Sequence, residues 1–79
     1  MKHMIGLLNI QWKDKHVIVN EGQPDYTAGV FKKMEWVIDS QVYELPMRVK
    51  ITFGEDSDVP ERIFEANTLS IKKDKRYED

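Results

Sequence analysis

The sequence predicts a mainly β fold: a small five-stranded antiparallel barrel or a strongly bent sheet, with one short helical turn before the last strand. Three observations carry that prediction. Tyr43, Leu45, Met47, Val49, Ile51 and Phe53 are apolar and alternate with Glu44, Pro46, Arg48, Lys50 and Thr52. Side chains alternate faces along a strand, so this run has one buried and one wet face. Leu8, Ile10 and Trp12 recur with the same period, as do Met34, Trp36 and Ile38. Finally, 79 residues with 41% hydrophobic content and no cysteine leave room for one small domain. Its stability must come from a core or a partner chain rather than from disulfides.

The segment from Leu8 to Val19 reads as a hairpin. A tight turn at Asp14-Lys15 sets Lys13 opposite His16, Trp12 opposite Val17 and Ile10 opposite Val19, so every inward residue meets an apolar partner. Asn20 to Phe31 is punctuated by Gly22, Pro24 and Gly29 and reads as a long, partly ordered loop.

A second hairpin covers Met34 to Phe53, with its turn at Asp39-Ser40. Trp36 then faces Tyr43, Met34 faces Leu45, and on the outer side Glu35 faces Glu44 and Val37 faces Val42. Pro46 lacks an N–H, and this register turns that missing donor away from the partner strand. The far edge is therefore open or bulged near Pro46 and free to pair further on, around Arg48 to Phe53. Eleven alternating residues span roughly 36 Å at about 3.3 Å each, so the strand must bend, and Pro46 is the expected bend.

Gly54-Glu55-Asp56-Ser57-Asp58 is an acidic turn. Asp58, with Pro60 and Glu61 after it, has the pattern of a helix start, and a short helix is expected to run toward Asn67. Thr68 to Lys72 supplies the last strand, with Leu69 and Ile71 inward. The domain covers residues 1–71, and the charged end, 72–79, is expected to be a mobile tail. Two hairpins, a short helical turn and a closing strand make an element order that resembles that of the small SH3-like barrels. No aromatic ligand-groove motif accompanies it.

Little in the chain points to catalysis, metal or cofactor. A calcium loop starting at Asp56 needs glycine at its sixth position and glutamate at its twelfth, where Glu61 and Asn67 stand. His3 and His16 have no cysteine or spaced carboxylate beside them. Ser40, Ser57 and Ser70 lie outside any nucleophile-elbow pattern, and the four glycines form no phosphate loop. The chain is therefore read as a non-enzyme without metal or cofactor. It has no apolar run of membrane-spanning length, and its polar start does not lead a secretory signal. It reads as a cytoplasmic protein with no membrane partner.

Two binding functions follow from that reading. The first is contact with another protein, or with a second copy of the chain, through Phe31, Val37, Val42, Pro46, Arg48 and Lys50. Phe31 falls out of phase with its strand, Val37 and Val42 form an outer apolar pair, and the edge beside Pro46 accepts a strand. The alternative is nucleic-acid binding through Lys13, Lys15, Lys32, Lys33, Lys72, Lys73 and Arg76, with Tyr26, Phe31 and Tyr77 free to stack. The formal net charge of −2 weighs against a chain-wide cationic surface.

Overall fold

A computed structural model of the chain describes residues 2–37 and 48–77. A helix, α1 (Lys2–Trp12), precedes five strands: β1 (His16–Val19), β2 (Thr27–Val37), β3 (Arg48–Phe53), β4 (Glu61–Glu65) and β5 (Ile71–Lys73). One 3-10 turn, Ala66–Thr68, stands before β5, and another, Lys75–Tyr77, follows it. All pairings are antiparallel, in the order β4-β3-β2-β1-β5. The sheet is open rather than a closed barrel. The mainly β class, the five strands and the helical turn before the last of them are as the sequence predicts.

One expected strand is a helix, and one expected helix is a strand. Leu8 to Trp12 belongs to α1 instead of a hairpin arm. Leu8 and Trp12 are four apart, which in a helix puts them on one face, and both pack against the core. The residues around them, Lys2, Met4, Leu7 and Gln11, are good helix formers. Conversely, Glu61–Glu65 is strand β4 rather than helix. Its pairing runs Val49↔Phe64 and Ile51↔Arg62, which fills the ladder of a central strand that would otherwise leave buried peptide groups unpaired. The helical turn comes later, at Ala66–Thr68, and the last strand covers Ile71–Lys73.

The irregular loop expected over Asn20 to Phe31 is confined to the residues before Thr27, where β2 begins. Gly29 stands within this strand because a loop crosses it. A Cβ at Gly29 would lie 2.5 Å from both Cβ and Oγ of Ser57. That loop is the acidic turn. The N–H of Val30 donates to Ser57 Oγ and that of Ala28 to Asp58 Oδ2, each at 2.9 Å. Asp58 thus caps a strand edge, not a helix.

Of the Tyr43 to Phe53 run only Arg48–Phe53 is described, as β3, and the long, shared strand among the described residues is β2. Its first half pairs with β1 (Val17↔Gly29) and its second with β3 (Met34↔Ile51), with a bulge between Phe31 and Lys33. The extra residue reverses the phase of the strand. Before the bulge Thr27, Gly29 and Phe31 are buried; after it Met34 is. Phe31 is therefore fully buried instead of projecting outward.

The β2–β3 register also differs from expectation. Trp36 faces Val49 rather than Tyr43, and Met34 faces Ile51 rather than Leu45. The displacement is an even number of residues, so the apolar faces still coincide. It also replaces the unfavourable Glu35–Glu44 pair by Glu35↔Lys50, an attractive one. The turn at Asp39-Ser40, together with Val42, Tyr43, Leu45 and Pro46, lies outside the described residues.

The core consists of Val17, Val19, Phe31, Met34, Val49, Ile51, Phe53 and Phe64, with Leu8, Trp12, Trp36, Leu69 and Ile71 packed at its margin. A polar knot ties its rim. Asn20, fully buried, donates from Nδ2 to Asp25 Oδ2 and accepts at Oδ1 from the N–H of Ser70, each at 2.9 Å. The β1–β2 turn is thereby fastened to the segment leading into β5.

Candidate interaction surfaces

Three outward surfaces are built on this frame. The first is the solvent face of β2, β3 and β4. Its rows are Lys33–Thr52–Glu61, Glu35–Lys50–Ile63 and Val37–Arg48–Glu65. Lys50 Nζ lies 3.5 Å from Glu35 and 3.4 Å from Glu61. The hydrogen bond to Glu61, and after it the charge of Glu35, raise its pKa above the ordinary lysine value. Lys33 is 3.8 Å from the same Glu35. Charges here cancel locally, and exposed pairs of this kind contribute little stability. Of the expected protein-contact residues, Val37, Arg48 and Lys50 share this face, Phe31 lies in the core, and Val42 and Pro46 lie outside the described residues.

The second surface belongs to α1. The helix is held to β2 by Asn9, whose Nδ2 donates to the Met34 carbonyl at 2.9 Å while its Oδ1 accepts the Met34 N–H at 2.7 Å. One side-chain amide thus completes the edge of β2 beyond the end of β1, as a neighbouring strand would. With Leu8, Asn9 and Trp12 turned inward, Leu7 and Ile10 face outward and are 66% and 80% exposed. They are three residues apart and so neighbours on the helix surface.

The third surface lies at the chain's end. Lys72 and Lys73, expected in a tail, pair with Ile18 and Val17 in the β1–β5 ladder. The N–H of Asp74 continues the ladder to the His16 carbonyl at 3.0 Å. The Asp74 side chain is buried and accepts from the Arg76 N–H and Nε at Oδ1 and from Arg76 Nη2 at Oδ2, at 2.8–3.0 Å. That bonding to Arg76 holds the Asp74 carboxyl below the usual carboxylate range. The Tyr77 ring stacks on His16 with centroids 3.9 Å apart and planes 7° from parallel. A groove beside this turn is lined by Ile18, Tyr26, Lys72, Lys73, Lys75 and Arg76, with Glu21 and Asp74.

The cations expected to bind nucleic acid are thus divided among three places. Lys32 is bridged at 2.7 Å to Asp14, between Lys13 and Lys15 at the helix–strand turn, and its hydrogen bond lowers the Asp14 pKa. Lys33 belongs to the charge-balanced sheet face. Lys72, Lys73 and Arg76 meet at the groove, joined by Lys75 and Tyr26. Of the aromatics expected to be free, Tyr26 and Tyr77 are exposed and Phe31 is not.

Asn9, Asn20 and Asp74 are the organising polar residues that sequence reasoning passes over. Only the placement of Asn9 between inward-facing Leu8 and Trp12 hints at its role. Among the described residues no group of three His, Asp or Glu side chains converges as a metal site. No described helix is long and apolar enough to cross a membrane. Comparison with protein-family models, curated proteins and solved structures finds no match for the chain.

Proposed function

We infer that the protein is a non-enzymatic interaction module that works by contact with another protein or with a second copy of itself, through the outward face of α1. One observation carries this reading: α1 is apolar on both sides. Leu8 and Trp12 are used by the core, while Leu7 and Ile10 stand in solvent. A helix with apolar residues on two faces suits a place between two bodies, and among the described residues the core covers only the Leu8–Trp12 face. The buried carboxylate Asp74 favours a non-catalytic reading, because both its oxygens are engaged by Arg76, away from any acid–base task.

The test is a double variant, Leu7→Asp with Ile10→Asp. Both positions are exposed, so the melting temperature is expected to stay close to that of the wild type. Sedimentation across the micromolar range should show self-association that the variant loses. Failing that, affinity capture from the source cell should recover a protein that the variant does not. A monomeric wild type whose captured proteins are all retained by the variant would overturn the reading.

A further inference from the structure

We propose that the groove between β1 and the Lys72–Arg76 segment is a binding site for single-stranded nucleic acid, on a surface separate from α1. Charge is the first ground. The chain is net negative, at −2, yet residues 72–76 hold four cations and one acid, and that acid, Asp74, is buried against Arg76. Lys72 is bridged to Glu21. Lys73 and Lys75 are exposed and have no acidic partner among the described residues. Among the described residues the groove lining holds four cations against two acids, Glu21 and Asp74, a local excess of positive charge on a chain that is net negative.

Rigidity is the second ground. The cations do not hang on a loose tail. The β1–β5 ladder holds Lys72 and Lys73, the Asp74–Arg76 bonds hold the following turn, and the stack of Tyr77 on His16 closes it. A fixed backbone lowers the entropy lost on binding. The third ground is Tyr26, which is 41% exposed and lines the same groove. A phenol ring beside a cationic track gives a base something to stack on while phosphates follow the lysines. A single strand suits this site better than a duplex. The site is one short edge strand and one turn, with no element placed to enter a duplex groove. The opposing case is the helix–strand turn, where Lys32 is bound to Asp14.

Fluorescence anisotropy with labelled oligothymidylate and a labelled mixed-sequence RNA strand tests the proposal on the full chain. Wild type should bind at low salt, with log K falling against log salt at a slope of about −1.4, as expected for roughly two phosphate contacts, at Lys73 and Lys75. Lys73→Glu with Lys75→Glu should weaken binding by about tenfold or more. Tyr26→Ala should cost about fivefold or more through lost stacking. Lys32→Glu with Lys33→Glu should stay within about twofold, since both cations are locally balanced. Lys75→Glu alone, outside the ladder, keeps the test open if the double variant unfolds. Absence of binding at low salt overturns the proposal. So does an equal loss from the Lys32/Lys33 variant, or competition by duplex DNA or polyglutamate that matches that of the single strand.

Discussion

The segments Leu8–Trp12 and Val49–Phe53 carry the same local pattern, three apolar residues at every second position, and fold oppositely. In β3 all three, Val49, Ile51 and Phe53, are at most 5% exposed. In α1 the outer two pack on the core while Ile10 between them is 80% exposed. The first and third of three alternating positions are four residues apart, so they meet the helical i,i+4 spacing as well as the strand period. The wider residue content separates the two. β3 is rich in Val, Ile, Thr and Phe, whereas α1 also supplies Lys, Met, Leu and Gln, and the two sets differ in helix and strand preference.

Substitutions can break or sharpen this contrast, beginning with the largest effect. Phe31→Ala empties a fully buried site beside the bulge and should destabilise the fold by about 3–5 kcal/mol in urea unfolding. Ile51→Ala should follow at about 2–5 kcal/mol. If Phe31→Ala proved nearly neutral, the phase reversal at the bulge would be wrong, and with it the inward face of β2.

Asn9→Ala comes next. It strips both side-chain hydrogen bonds from the Met34 peptide groups, for an expected loss of about 1–3 kcal/mol. Hydrogen exchange at the Met34 amide supplies a sharper readout, which should rise before that of Ile51. Unchanged Met34 protection in this variant would argue that α1 is not tied to the strand edge.

The pH dependence of stability extends the contrast to the chain's end, where a segment expected in solvent is fastened down. The folded Asp74 pKa lies below its ordinary value, chiefly through the Arg76 hydrogen bond. A depressed folded value means stability that is present above the unfolded pKa, near 3.9, and is lost as pH falls through the folded one. Thermal melts should therefore fall below about pH 4, and Asp74→Asn should flatten part of that fall. Asp14 shifts in the same direction through Lys32, but it is exposed, so its variant should flatten the curve less. A larger effect from Asp14→Asn than from Asp74→Asn would contradict the buried clamp.

The smallest effect is expected at Ile10, the mirror of Ile51. Ile10→Ala should leave stability within about 0.5 kcal/mol. A loss like that of Ile51→Ala, in dilute monomeric protein, would place Leu8–Trp12 back in a strand.

The fold class was legible because the alternation at Val49 to Phe53 is local, and burial of one face follows from it wherever its partner lies. For the same reason the apolar faces of β2 and β3 matched even in the wrong register, since any even displacement preserves them. The bulge was the first thing hidden. Lys32-Lys33 interrupts the alternation, yet only pairing with both β1 and β3 converts that interruption into a phase reversal that buries Phe31. The surfaces were less legible than the fold. The groove's cations are already neighbours in the sequence, at 72–76, and the β1–β5 ladder fixes the backbone of the first two. Lys32, Lys33 and Lys50, by contrast, are paired with Asp14, Glu35 and Glu61.

Composition and periodicity were sufficient for the mainly β class of a cysteine-free chain. They act through each residue's own preference for water or core. The exchange of a strand for α1, the making of β4, the bend in β2 and the anchoring of Lys72 to Tyr77 were decided in three dimensions. Each satisfies backbone groups that a sheet leaves open: Asn9 at Met34, Phe64 at Val49, Ser57 at Val30 and Asp74 at His16. The need to pair a buried peptide group depends on what lies beside it in space, and the order of side chains along the chain does not record that.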